Sequence, residues 1–169
     1  EQIIREIDTI QNLDTQYRSI PQIGQLFSEL SYSSLLKHDR ETNRKESKQL
    51  PEKFKKLISS NVTFVDIPLN QDNSIFKVNK LFYSSYHTYC AILVSEIIRY
   101  FDEINENEQW TIGLIAPYKA QAILLNKLIT SYGISENVKV FSDTVHGFQG
   151  DECDIVFFVC NPNNYFYSG

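Results

Sequence analysis

No methionine occurs anywhere in the sequence, which begins at Glu1 and stops at the segment YFYSG, so the chain reads as a piece of a longer protein. Cysteine is scarce. Cys90, Cys153 and Cys160 have neither C-x-x-C spacing nor histidines beside them, which argues against a zinc site and for reduced thiols. No run approaches the 18 or so apolar residues of a membrane span, and the start lacks the cationic, apolar and small-residue regions of a secretory signal. A cytoplasmic protein with no membrane partner is expected. Internal repeats and low-complexity segments are absent. So is a G-x-S-x-G elbow, which would have supported an α/β hydrolase.

What is present suits one soluble domain. The 169 residues are 42% hydrophobic and 22% charged, enough to bury a core without metal or disulfide staples. Charge is uneven: residues 37–56 hold eight Lys and Arg against four Asp and Glu, in a chain of net charge −5. Its one aromatic, Phe54, stands at the end and none is interleaved along the basic run to stack on bases, so residues 37–61 read as a polar, partly basic surface segment with a short helix near its end.

Periodicity then gives alternating elements. REIDTIQNLDTQY (5–17) and PQIGQLFSEL (21–30) have helical spacing, the second with Ile23, Leu26, Phe27 and Leu30 in one stripe and Pro21 in its first turn. NVTFVDI (61–67) reads as a strand. Residues 86–103 form an amphipathic helix with Cys90, Val94, Ile97, Ile98 and Phe101 on one stripe. TIGLIA (111–116), VKVFS (138–142) and DIVFFVC (154–160) read as buried strands, and PYKAQAILLNKLITSYG (117–133) as a helix opened by Pro117 and closed by Gly133. Buried strands alternating with helices predict an α/β fold, a mostly parallel sheet with helices on both faces, whose ligands bind beyond the carboxyl ends of the strands.

Two loops fall at those carboxyl ends. PYKAQ places helix N-terminal amides there, suited to an anion such as phosphate, or else forms an ordinary strand-to-helix turn. The second loop lies in TVHGFQGDECDIVFFVC (144–160), which packs Thr, His, Gln, two Gly, Asp and Glu against the start of a strand. Its glycines let backbone approach a ligand closely, and its polar side chains exceed what a plain turn needs.

TVHGFQGDECD resembles motif V of superfamily 1 helicases, in the branch that includes the nonsense-mediated-decay helicase and the replication-linked helicase-nuclease. IGLIAPYKAQ is similar to motif IV of that branch, and LDTQYRSIPQIGQLFSEL to its Q-Y-R-x-x-P motif. The three stand in the family's order across residues 13–154. The resemblance implies a three-layer RecA-like domain of the P-loop NTPase type. It would be the second, C-terminal, of a motor's two RecA-like domains, ending before motif VI. Such a motor holds ATP with Mg2+ in the cleft between its domains and runs single-stranded RNA or DNA across both. The first domain would carry the phosphate loop and hold the metal; no G-x-x-x-x-G-K-[ST] occurs here, so this chain alone is expected not to hydrolyse ATP.

Carried over by position, the resemblance implies that Gln16 and Tyr17 bind nucleotide, Tyr17 stacking on adenine. Arg18 would reach the γ-phosphate. Gln149 and Gly150 would sense that phosphate, and Glu152 would accept hydrogen bonds from the ribose. Thr144 and His146 would face the nucleic acid backbone, as would Pro117, Tyr118 and Gln121 of motif IV. A planar aromatic suits a purine, and a guanidinium stabilises charge on a transferring phosphoryl group, so the chemistry of these side chains agrees. Ser19-Ile20 stands where the family commonly has Met-His. His38 and His87 read as structural or solvent-facing. A nucleotide-binding or protein-interaction domain that keeps this fold without motor activity is the alternative.

Overall fold

The protein is described by a computed structural model covering residues 14–39, 48–58, 60–67, 76–149 and 152–160. Residues 5–13 of the first expected helix, residues 40–47 and 59 of the basic segment, and Gly150 lie outside this range. Two compact units are present, one drawn from Glu1–Gln49 and Ile58–Phe64, the other from Leu50–Leu57 and Val65–Gly169.

The smaller unit holds β1 (Thr15–Gln16), α1 (Pro21–Ser31) and β2 (Lys37–His38), with β1 and β2 parallel. Residues 14–17, expected to end a helix, include β1 instead. Helix α1 starts as predicted with Pro in its first turn. Ser33 and Ser34 reverse the chain after it at positive φ, and Ser28 Oγ, bonded to the backbone N–H and carbonyl of Leu36, ties the return segment to the helix. The buried positions of α1 are Gly24 and Ser28, while Leu26, Phe27 and Leu30 of the expected stripe are exposed. Small residues face inward here because β1 and β2 pack closely on the helix: a methyl group at Gly24 would lie 2.4 Å from His38 Nδ1 and 2.6 Å from Gln16 Nε2.

The larger unit contains α2 (Glu52–Lys55), β3 (Val78–Leu81), β4 (Ser84–His87), α3 (Thr88–Ile104), β5 (Trp110–Ala116), α4 (Lys119–Tyr132), β6 (Val138–Thr144) and β7 (Ile155–Phe158). Its main sheet is parallel in the order β6-β5-β7, so β5 is central, with α4 as the β5–β6 crossover. Gly133 closes α4 at φ 62° and ψ 46°, as the sequence predicted. Register places Trp110, Ile112, Leu114 and Ala116 on one face beside Val138, Val140, Ser142 and Thr144. This is the helical face. Phe101 of α3 meets Trp110 edge-on at 5.2 Å, Phe54 of α2 meets Phe101 at 4.8 Å, and Ser142 Oγ donates to the carbonyl of Ala122 in α4.

Several expectations change. Residues 61–67 form no strand, and Val62, Phe64 and Val65 are exposed. Strand β7 alternates half-buried with exposed residues, Val156 and Phe158 facing outward, because only one of its edges is paired among the described residues and its outer face carries no helix there. The antiparallel hairpin β3–β4 had no sequence signal. Its two-residue loop is Phe82-Tyr83, with Phe82 at φ 54° and Tyr83 not at positive φ. That sign pattern is the one in which glycine usually takes the first loop position, so an aromatic there carries strain on the order of 1–3 kcal/mol.

The aromatic cluster of Phe54, Phe101 and Trp110 anchors α2 and α3 to the base of the central strand. Replacing Phe101 by Ala leaves a cavity between two rings, and urea unfolding is expected to show a loss of about 3–5 kcal/mol.

Candidate nucleotide and nucleic-acid site

The carboxyl edge of the parallel sheet is where the motif IV and motif V loops meet. Ala116 and Thr144, the last residues of β5 and β6, are register partners, so Pro117-Tyr118 and Val145–Gln149 leave the sheet side by side. The second loop folds back at once. The N–H of Phe148 donates to the Thr144 carbonyl at 3.0 Å, that of Gly147 reaches Thr144 Oγ1 at 3.4 Å, and Asp143 Oδ1 accepts from the N–H of Thr144 at 2.6 Å. A methyl at Gly147 would lie 2.2 Å from the Asp143 carboxylate, so a larger residue there requires that side chain to swing aside.

Phe148 seats the loop. It is buried against Gly113 of β5, where an added methyl would come within 2.8 Å of its ring and 3.2 Å of Cys153 Sγ. With Phe148 inward, Val145, His146, Gly147 and Gln149 are exposed, and Thr144 is half-buried with its hydroxyl beside the turn. Glu152 is exposed as well. Asp154 then fixes the start of β7: its carboxylate accepts from both the N–H and the hydroxyl of Thr111 at 2.8 Å, and its own N–H donates to the Thr111 carbonyl at 2.9 Å. Sequence reasoning passed over Asp154, Phe148 and Gly113. Their only sequence signals were an aromatic inside a polar loop and a glycine inside an apolar strand.

The motif IV loop differs from expectation. Pro117 precedes α4 by two residues, and Tyr118 occupies the N-cap position without a side-chain capping bond. The cap comes from elsewhere: Ser84 Oγ, at the start of β4, accepts from the N–H of Ala120 at 2.8 Å. The Gln121 N–H bonds the Tyr118 carbonyl at 3.1 Å, so these two amides are occupied within the fold and do not await an anion. Gln121 itself is fully buried, its Oε1 accepting from the His87 N–H at 2.6 Å. It braces β4 against α4, whereas Pro117 and Tyr118 keep partial exposure.

In the smaller unit Gln16 also works inward. Its Oε1 accepts from the N–H of Arg18 and Ser19 at 3.0 and 2.8 Å, and its Nε2 donates to the Ser19 carbonyl at 2.9 Å, with His38 Nδ1 3.2 Å away. One carboxamide thus shapes the turn that presents Tyr17, 63% exposed, and Arg18, also exposed.

Residues 1–166 match a family model described as AAA domain, AAA_12, a helicase family. This chain belongs to that family. It is also 37% identical to Helicase sen1 of Schizosaccharomyces pombe (strain 972 / ATCC 24843) over 73 residues, 43% of this chain and 4% of that protein. The chain therefore spans about 4% of the length of that curated relative. The motif resemblance to superfamily 1 helicases stands, and with it a mixed α/β, RecA-like helicase domain.

Two buried groups of the helicase domain are structural. Burial pushes the Cys90 thiol up to about 11, with the Cys160 thiol adding to the shift, so Cys90 stays protonated and inert at neutral pH. His87 is the N-cap of α3: Nδ1 accepts from the N–H of Cys90 at 3.1 Å and Nε2 faces the Phe76 carbonyl at 3.1 Å, which sets the neutral Nε2–H tautomer. Burial holds its pKa below the usual value, the Phe76 bond opposing in part. Among the described residues no helix is long and apolar enough to cross a membrane, and no three His, Cys, Asp or Glu converge on a possible metal position.

Two expectations follow from this packing. Gly113→Ala should displace Phe148 and cost about 1–3 kcal/mol in denaturant unfolding, with Phe148→Leu in the same chain recovering part of the loss. For His87 the sign is that of a base with a depressed folded pKa. Stability is full above about pH 6.5 and falls as pH is lowered toward the folded value, because the unfolded chain takes up a proton that the folded one refuses. His87→Asn keeps a capping acceptor, so its unfolding curves should lose that component of the slope between about pH 7 and the acid side of the window.

Proposed function

We propose that this chain is the second of two RecA-like domains in an ATP-driven motor moving on single-stranded RNA or DNA. It would supply one wall of the ATP cleft and part of the nucleic acid track. The observation that carries this reading is the Ala116–Thr144 pairing, which launches both motif loops from one point of the sheet's carboxyl edge. Tyr17 would stack on adenine, Arg18 would neutralise the γ-phosphate, and Glu152 would accept from the ribose hydroxyls. Gln149 and Gly150 would respond to the γ-phosphate while Thr144 and His146 hold the strand. A short loop seated by Phe148 would couple the two ligands through small backbone shifts. Support for the division comes from the exposure of Gln149 and Glu152 at one end of the segment and the position of Thr144 at the other.

Pro117 and Tyr118 are the motif IV groups we assign to the strand. We assign Gln16 and Gln121 to positioning, since both carboxamides bond backbone. ATP would bring Mg2+, held mainly by the first RecA-like domain of the same protein. In a three-layer arrangement the sheet face that exposes Phe141, Val156 and Phe158 would carry a second helical layer. We place the protein in the cytoplasm, and this chain by itself should not turn over ATP.

The two ligands separate by mutation in the full-length motor. Thr144→Ala should raise the strand concentration needed for half-maximal ATPase and leave ATP affinity nearly unchanged. Arg18→Ala should lower turnover about a thousandfold even at saturating strand. Steady-state ATPase against strand concentration at fixed salt checks both. A Thr144→Ala enzyme with unchanged strand dependence and a raised KM for ATP would overturn the assignment.

A further inference from the structure

We propose that the tip of the β3–β4 hairpin is a base-stacking finger for single-stranded nucleic acid, an inference that rests on the motor reading above and extends its strand track to a second element. Leu81, Phe82 and Tyr83 stand together at this tip with exposures of 51%, 89% and 103%. Single exposed aromatics are ordinary on protein surfaces, but two successive ones beside an exposed leucine form a patch. Phe82 also occupies the loop position whose positive φ favours glycine, so the sequence keeps a flat ring where a smaller residue fits the backbone better.

The surroundings select the ligand. Lys80 lies on the hairpin, Lys77 directly precedes β3 at its foot, and Lys119 opens α4, and all three are exposed. Residues 76–95 and 110–135 contain no Asp or Glu, although the whole chain carries net charge −5. An aromatic tip carried with lysines on segments that lack carboxylates matches a strand that offers bases to stack and phosphates to neutralise. A polar and apolar mixture this narrow, with half-buried Asn79 and Ser84 between the larger groups, does not extend into the broad apolar core of a stable protein interface.

Position supplies the remaining argument. Ser84, the residue directly after the tip, bonds the N–H of Ala120, and His87 at the far end of β4 bonds Gln121. Strand β4 is therefore fastened along the first turn of α4, two residues beyond Tyr118 of the motif IV loop. A strand held at Pro117 and Tyr118 would meet Phe82 and Tyr83 next, and a finger bolted to a rigid helix loses little entropy on binding.

The test is fluorescence anisotropy of the protein with labelled oligouridylate and oligothymidylate of about 12 nucleotides, and with an abasic strand of equal length. Phe82→Gly with Tyr83→Ser installs residues that the turn favours, so the hairpin keeps its fold. This double variant should bind base-bearing strands about tenfold more weakly or worse, and the abasic strand as tightly as the parent does. Lys77→Gln with Lys80→Gln should instead weaken all three strands alike and flatten the salt dependence. Undiminished affinity of the Phe82/Tyr83 variant for base-bearing strands, beside normal binding by the parent, overturns the finger and leaves the motor reading intact. A parent protein that binds none of the strands overturns the strand track and the finger together. Loss of self-association in sedimentation, with strand affinity unchanged, would identify the tip as a contact between copies and also overturn the proposal.

Discussion

Pairing of β5 with β6 over seven consecutive residues, from Trp110–Val138 to Ala116–Thr144, governs the larger unit. A parallel ladder has no tight turn to set its register, so the register must come from what the two faces bury. Here one face is set by Trp110 against Phe101 and by Ser142 against the Ala122 carbonyl. The opposite face is set by Phe148 over Gly113. A slip of one residue would turn Trp110 away from Phe101 and present a side chain bearing a Cβ where Phe148 needs none. Both motif loops therefore inherit their positions from core packing and not from contacts of their own.

The parts legible in the sequence were those where local pattern and tertiary packing agree. Helix α4 ended at Gly133 because only a left-handed residue closes it there, and β5 read as a buried strand because both of its faces are covered. Helix α3 was found as well, though its buried side, Cys90, Ala91, Ser95, Ile98 and Phe101, is rotated from the expected stripe toward small residues that admit its neighbours. Apolarity misled where it was not matched by burial. Phe64 and Val65 looked like strand, Leu26 and Phe27 like a core stripe, and Val156 and Phe158 like the interior of a two-sided sheet, yet all six are exposed. The hairpin was invisible because its turn is Phe82-Tyr83, where pattern reading seeks Gly, Asn or Asp.

In the candidate site the resemblance pointed to particular side chains, and which of them turn inward was not legible. Gln16 and Gln121 look like ligand-binding carboxamides, and both bond backbone, because an amide with two donors and two acceptor sites can satisfy a turn or a strand end by itself. The groups left facing outward beside them, Tyr17 and Arg18 in one unit and Tyr118 in the other, are held in place by that inward bonding. Such pairs of a positioning residue and a presented residue are adjacent or nearly so in sequence. Spacing alone cannot say which of the two turns in.

The clamp of Asp154 on Thr111 has a mechanical meaning for the segment that separates it from Thr144. Both ends are attached to the same central strand, Thr144 through Ala116 at its carboxyl end and Asp154 through Thr111 near its start. The segment's two ends are therefore held near opposite ends of β5, as a bridge is held by its piers. Its contour cannot be shared with the strands on either side, so an inserted or deleted residue would be absorbed as slack or tension within the bridge itself. Length, as much as side-chain chemistry, is then a constraint on this loop.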